Sequence, residues 1–131
     1  MSEENVELAY RSYDAVNRRD LDGLLALMDD DVEAVSRIVA MEGGLHGHDG
    51  IRRWWESWFS AFPDYKIEVD EVRDRGDFVF AAFHAHGHGA GSQLPFEDTV
   101  WHASRWRNGK CVWWRVCPSW PEALEAAGLR E

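Results

Sequence analysis

Four of the six histidines of this 131-residue chain fall in one pair of predicted strands. His84, His86 and His88 lie in FVFAAFHAHGHG, and His102 lies in FEDTVWHASRWRNGKCVWW. Imidazole titrates closer to neutral pH than other side chains and is a common metal ligand, so this segment suits acid–base or metal chemistry. Along an extended chain His84, His86 and His88 alternate with Ala85 and Gly87 and share one face. A His-x-His pair on a strand can offer two imidazoles to one zinc ion, with His88 or His102 as a third ligand. The competing reading places the three on the outer side of a sheet, solvated or in a subunit contact. His102 shares its strand face with Ser104 and Trp106. In an apolar pocket its ring would act as general acid or base near neutral pH; in an ordinary core it would be held by one hydrogen bond.

Other side chains fit the walls of such a pocket. Small-molecule sites are mostly apolar and aromatic with few polar groups, and this chain has eight Trp, six Phe and three Tyr. The candidate walls are Trp55, Trp58, Phe59, Phe83, Ser104, Trp106 and Trp113, with Tyr13 placed to donate a hydrogen bond to a ligand carbonyl. An aromatic stripe at helical spacing is also what a plain core requires. Trp113, Arg115 and Cys117 share one strand face. Facing inward, Arg115 would need a carboxylate or an anionic ligand; facing outward, it is a surface residue. Glu33, Glu97 and Asp98 are candidate acidic partners. His46 and His48 flank Gly47 in a loop at the pocket rim or in solvent. No G-x-S-x-G elbow or phosphate-binding loop occurs, and Gly87, Gly89 and Gly91 suit a bend in a strand.

Composition narrows the partners. The net charge is −10, from 24 acidic and 14 basic residues, and no basic run exists. A nucleic-acid surface is therefore not expected, nor is attachment to an anionic membrane. No apolar run approaches the roughly 20 residues of a membrane span, and MSEENVELAYR lacks the apolar region of a signal peptide. Cys111 and Cys117 on one continuous strand would lie about 20 Å apart, beyond the roughly 7 Å a disulfide tolerates. Reduced thiols and a cytoplasmic location follow.

The elements that must position these groups can be read in order. Residues 4–18 form a helix whose buried face is Val6, Ala9, Tyr10, Tyr13, Val16 and Asn17. Asp20 caps a second helix, LDGLLALM, which Asp29-Asp30-Asp31 ends. Residues 32–40 read as a strand. Asp49 is the expected cap of a helix from about 50 to 61 carrying Ile51, Trp54, Trp55, Trp58, Phe59 and Phe62. Strands follow near 65–74, 77–87, 96–107 and 110–117, the last pair joined by Asn108-Gly109, a strong hairpin signal. PEALEAAGL closes with a short helix. Helices and strands in separate runs indicate an α+β fold, with N-terminal helices on one face of a curved, mostly antiparallel sheet and a pocket between them. One domain over 1–131 fits the length.

The order and five local motifs resemble the SnoaL-like branch of the nuclear-transport-factor-2-like superfamily: RRDLDGLLALMDDDVE, GLHGHDGIRRWWESWF, RGDFVF, RWRNGKCVWW and EALEAAGL. The resemblance implies a cone-like half-barrel with a deep pocket, commonly a homodimer through the outer sheet face. It also implies metal-free, cofactor-independent proton transfer in the members that are enzymes: cyclases, isomerases, dehydratases and hydrolases. Steroid isomerases of this superfamily place a tyrosine at the position of Ser12, an aspartate at Ser36 and an acidic donor at His102. None of these types matches, so steroid isomerisation is not expected, although Tyr13 stands one residue away. Cyclases of the family usually place an aspartate at the His102 position. The resemblance turns the His102 face toward the pocket; it favours the outer side for His84, His86 and His88 but leaves their sheet face open. The expectation is a protein that binds a small apolar organic or polyketide-like molecule, with His102 and Tyr13 as catalytic residues if it is an enzyme and no cofactor. A non-catalytic ligand-binding or dimeric interaction module is the alternative, and a histidine zinc site the second.

Overall fold

Amphipathic helices beside alternating strands must bury one face of each element. The computed structural model, which describes residues 2–36 and 44–129, meets that demand with one sheet. Helix α1 (Ser2–Asn17) is followed by α2 (Leu21–Ala26), β1 (Met28–Val35), β2 (Leu45–His46) and α3 (Gly47–Ala61). Strands β3 (Lys66–Arg75), β4 (Phe78–His88), β5 (Pro95–Arg107) and β6 (Lys110–Cys117) precede a last helix, α4 (Trp120–Ala126). The six strands form one sheet in the order β2-β1-β6-β5-β4-β3. Most neighbours are antiparallel, but β1 runs parallel to β6. The sheet is mixed and does not close into a barrel. No helix among the described residues is long and apolar enough to cross a membrane.

Each face of the sheet has its own core. On the inner face, Ala9, Tyr13 and Val16 of α1, Ile51 of α3 and Val79, Ala81, Phe83 and Ala85 of β4 belong to the larger cluster. On the outer face, α4 lays Ala123 and Leu124 over Phe80, Ala103 and Cys117. Asn17 fastens the end of α1 to β3. Its side-chain amide donates to the Ile67 carbonyl at 2.9 Å and accepts the Ile67 N–H at 2.9 Å, so it replaces the ladder partner that the β3 edge lacks there.

Three local expectations need correction. Asp20 does cap α2, accepting the Gly23 N–H, but the acidic triplet after that helix lies inside a strand. β1 starts at Met28, and its register against β6 shifts between Met28 and Glu33. A bulge of this kind lets Asp30 and Asp31 turn to solvent within a strand. The 37–40 part of the expected strand lies outside the described residues. Asp49 is not a cap: α3 starts at Gly47 with His46 as N-cap and no side-chain cap bond. Gly47 has φ +69, a left-handed turn that takes the chain directly from β2 into the helix. Asp49 sits in the first turn and pairs with Arg52 at 3.2 Å. The two-residue strand β2 was not anticipated; its pairing is confined to Glu33↔His46 and Ala34↔Leu45.

Candidate functional site

The inner face of β5 runs through Phe96, Asp98, Val100, His102 and Trp106, all of which line a cavity between the sheet and the helices. α1 supplies Ser12, Tyr13 and Val16; α3 supplies Trp54 and Trp58; β4 supplies Phe83 and Ala85; and β6 supplies Cys111, Trp114 and Val116. The cavity measures about 90 Å³, several times the roughly 10–15 Å³ that one water occupies on that scale. Its walls are aromatic and aliphatic apart from a few polar groups.

His102 is the central one. Its ring stacks on Phe83 at 5.5 Å, meets Trp114 at 5.5 Å and meets Tyr13 edge-on at 5.4 Å. Nδ1 lies 3.2 Å from the Tyr13 hydroxyl. Nε2 has no hydrogen-bond partner among the described residues and is not among the buried polar atoms left unsatisfied. The His102 ring lines the cavity. Enclosure by apolar rings disfavours the charged ring and pulls the imidazole pKa from 6.5 down to about 4. Burial, aided by nearby Cys111, pushes the Tyr13 phenol far above its ordinary value. At neutral pH the pair is uncharged, a hydrogen-bonded imidazole and phenol in an apolar enclosure.

Behind this pair stands a second polar group. Ser104 Oγ donates to the Val79 carbonyl at 3.2 Å and accepts the Trp106 Nε1–H at 2.9 Å. Ser104 has no exposed surface and Trp106 is 2% exposed.

The expected wall residues divide by position. Trp58, Phe83 and Trp106 line the cavity. Ser104 stands behind the lining. Trp55 and Phe59 pack on each other with centroids 4.7 Å apart, and the Arg19 guanidinium covers Phe59 at 4.0 Å; neither ring lines the cavity. Trp113 is on the opposite face of the sheet, against Phe78 and the outer cluster. The cause is a bulge. Trp106 pairs with Cys111, but Arg105 pairs with Trp113, so one extra residue in β6 reverses the alternation. Without it Trp113 would follow Cys111 inward; with it Trp114 does. Arg115 is exposed on the outer face. The positive φ angles of Asn108 and Gly109, 51° and 77°, form the tight turn that precedes this bulge.

The other histidines are elsewhere. His84 lies 3.7 Å from Glu97, and its ring is 5.9 Å from that of His86. His88 Nδ1 lies 2.7 Å from Asp64, which also accepts the His88 backbone N–H at 2.7 Å. These bonds hold the Asp64 carboxyl below its usual range. His102 pairs across the sheet with Ala81, one face away from the three, so it cannot join them around a metal. No group of three His, Cys, Asp or Glu among the described residues is placed to hold one. His48 Nε2 lies 2.9 Å from the Met28 carbonyl, outside the cavity lining. Burial pushes the Cys111 thiol up to about 12, so this cavity thiol stays protonated and a poor nucleophile.

Residues 9–114 match the family model described as SnoaL-like domain. The chain belongs to the SnoaL-like domain family. Solved structures agree with this SnoaL-like domain in fold. A protein described as a SnoaL-like polyketide cyclase from Jannaschia sp. superposes with a TM-score of 0.79 at 18% identity, over 88% of this chain and 85% of that one. TerC, co-crystallised with polyporic acid, gives 0.77 at 22% identity, over 88% and 92%. A protein of ketosteroid-isomerase-like fold from Catenulispora acidiphila, in complex with trimethylamine, gives 0.76 at 19% identity, over 95% and 94%. No curated protein is matched by this chain.

Sequence reading missed Trp54, Trp114, Tyr65 and Phe96 as cavity residues. Phe96 had a legible signal, since it shares the parity of His102. Trp114 had none, because the bulge that turns it inward leaves no mark in the residue types.

Proposed function

We propose that this SnoaL-like domain binds a small apolar organic molecule in the cavity and that His102 transfers a proton on it without a cofactor. The reaction class is isomerisation, cyclisation, dehydration or hydration. The observation that carries this reading is the His102 ring, held at Nδ1 by Tyr13 and lining an apolar enclosure. A neutral imidazole there is competent as acid or base, and exclusion of water strengthens its interactions with charge that develops on a substrate. TerC co-crystallised with polyporic acid and the Catenulispora protein in complex with trimethylamine support small-molecule binding on this fold. A homodimer through the outer sheet face and a cytoplasmic location complete the proposal; both come from the family resemblance and the reduced cysteines.

A second reading, binding without turnover, is favoured by the position of the carboxylates. Among the described residues the one carboxylate in the cavity lining is Asp98, four residues along β5 from His102 and therefore about 13 Å away. Among the described residues no carboxylate stands beside the imidazole to support its charged form.

Deuterium exchange separates the two readings without knowledge of the natural substrate. With acetophenone and related aromatic ketones in D2O, the protein is expected to accelerate label uptake at the enolisable carbon. His102→Gln should lower that acceleration by about 10²–10⁴-fold. Equal rates in protein and variant would leave the binding module as the surviving reading.

A further inference from the structure

The cavity differs in chemistry from one end to the other. On the inner face of β5 the order is Phe96, Asp98, Val100 and His102, and β5 pairs with β4 without a shift over this stretch. Residues 98 and 102 therefore stand about 13 Å apart. Aromatic rings gather at the Asp98 end. Trp58 and Tyr65 meet edge to face with centroids 5.1 Å apart, and Phe96 lies 6.0 Å from Trp58 and 6.3 Å from Tyr65. All three rings line the cavity together with Asp98. Across the sheet Asp98 is opposite Ala85, and Ala85 is opposite Ile67, so the inner face beside the carboxylate is apolar. Among the described residues the lining contains no Lys or Arg. Arg19, which donates to the Tyr65 carbonyl, also donates to the carbonyls of Val16 and Pro63 and lies over Phe59, outside the lining. His102 is neutral near pH 7, because burial lowers its pKa to about 4. The charge that the lining offers a ligand is therefore negative. Aromatic faces attract cations as well, and the net charge of −10 draws cations toward the chain and repels anions.

We propose that the ligand carries an amine: a protonated or quaternary nitrogen rests against Asp98, Trp58, Tyr65 and Phe96, while its carbonyl or acidic carbon lies at His102. The inference rests on the proposed function and narrows its substrate class, from an apolar organic molecule to one with an apolar body and a cationic end. The contact at each end takes up about 3 Å, which leaves about 7 Å between the cationic nitrogen and the reacting carbon. A para-substituted aryl ketone has that reach. Asp98 and the three rings are then specificity-determining groups. They hold the part of the substrate remote from the chemistry, so that the other end meets the imidazole in one position. An anionic molecule of the same shape is turned away by the same carboxylate.

Calorimetric titration at pH 7 with ketones of similar shape and different charge tests this. 4-(Aminomethyl)acetophenone is cationic, 4-ethylacetophenone is its neutral isostere, and 4-acetylbenzoate is anionic. The wild type is expected to bind the amine about tenfold more tightly than the neutral ketone, and the anion more weakly than either. Asp98→Asn should abolish or reverse the preference for the amine while holding the affinity for 4-ethylacetophenone within about twofold. Binding of that neutral ketone also shows that the variant is folded. A wild type that binds 4-ethylacetophenone as tightly as the amine, or a preference that survives in Asp98→Asn, would overturn the proposal. The wild-type comparison decides even if the variant does not fold. Binding of the neutral ketone with no preference for the amine removes the cation site and leaves the proposed function standing, whereas no binding by any of these ketones removes both.

Discussion

Acidification from pH 7 to pH 4 is expected to remove about 3 kcal/mol of folding stability through His102 alone. The folded imidazole has its pKa lowered from 6.5 to about 4 by burial. The unfolded chain therefore binds a proton below pH 6.5 that the folded protein refuses until about pH 4, and stability falls with pH across that window at about 1.36 kcal/mol per unit. Above pH 6.5 both states are neutral and the contribution is fully present. Below about pH 4 no further loss arises from this group. Carboxylates also titrate in this range, so the measurement is a difference. Urea denaturation of the wild type and of His102→Gln, at pH 7 and pH 4, should show the variant losing about 3 kcal/mol less. Parallel pH dependence in the two proteins would mean that the ring is not buried as described.

The next largest effect is expected at Trp106. Its side chain is 2% exposed, lines the cavity and donates to Ser104 at 2.9 Å. Replacement by Ala leaves a void at the centre of the inner core and should cost about 3–5 kcal/mol in denaturant unfolding. The same change enlarges the pocket and should weaken the binding of aromatic ligands. Trp113→Ala makes the informative contrast. Trp113 packs against Phe78 on the outer face, so its loss should leave acetophenone affinity within about twofold, below the cost of one net hydrogen bond. A strong loss of ligand affinity in Trp113→Ala would place that ring in the cavity after all.

The contrast between these two tryptophans also shows how far the sequence could be read. Period-2 alternation was sufficient along β5, which is regular over the pocket: His102, Ser104 and Trp106 share a face, and the register with β4 keeps them opposite Ala81 and Val79. The Asn108-Gly109 turn was equally legible, since it needs two residues with positive φ. Alternation failed in β6, where one extra residue between Cys111 and Trp113 exchanges the faces. A bulge is set by tertiary fit and not by a characteristic residue type, so Trp114 was overlooked and Trp113 chosen in its place. The helical stripe on α3 was read as a stripe, yet only part of it faces the cavity. Trp54 and Trp58 do, while Phe59 lies under Arg19 and Trp55 packs on Phe59. Which flank of a broad apolar face meets the hollow depends on how the helix is rotated over the sheet. Local periodicity leaves that free.

The fold class and the inward direction of His102 followed from residue alternation joined to the family resemblance, whereas the sheet face of His84, His86 and His88 stayed open in the sequence and is settled by the register of β4. The contact between Tyr13 and His102 did not follow, because it depends on distances between α1 and the sheet. Sequence spacing does not carry those distances.

The central claim is that an apolar molecule entering this protein meets the imidazole of residue 102. Titration of acetophenone into the labelled protein, followed by the ring signals of its histidines, tests that claim most directly. The ring signals of His102 should shift progressively and saturably, while those of His84, His86 and His88 on the opposite face stay in place. Shifts confined to the outer three histidines, or a saturable binding signal with His102 unmoved, would contradict it.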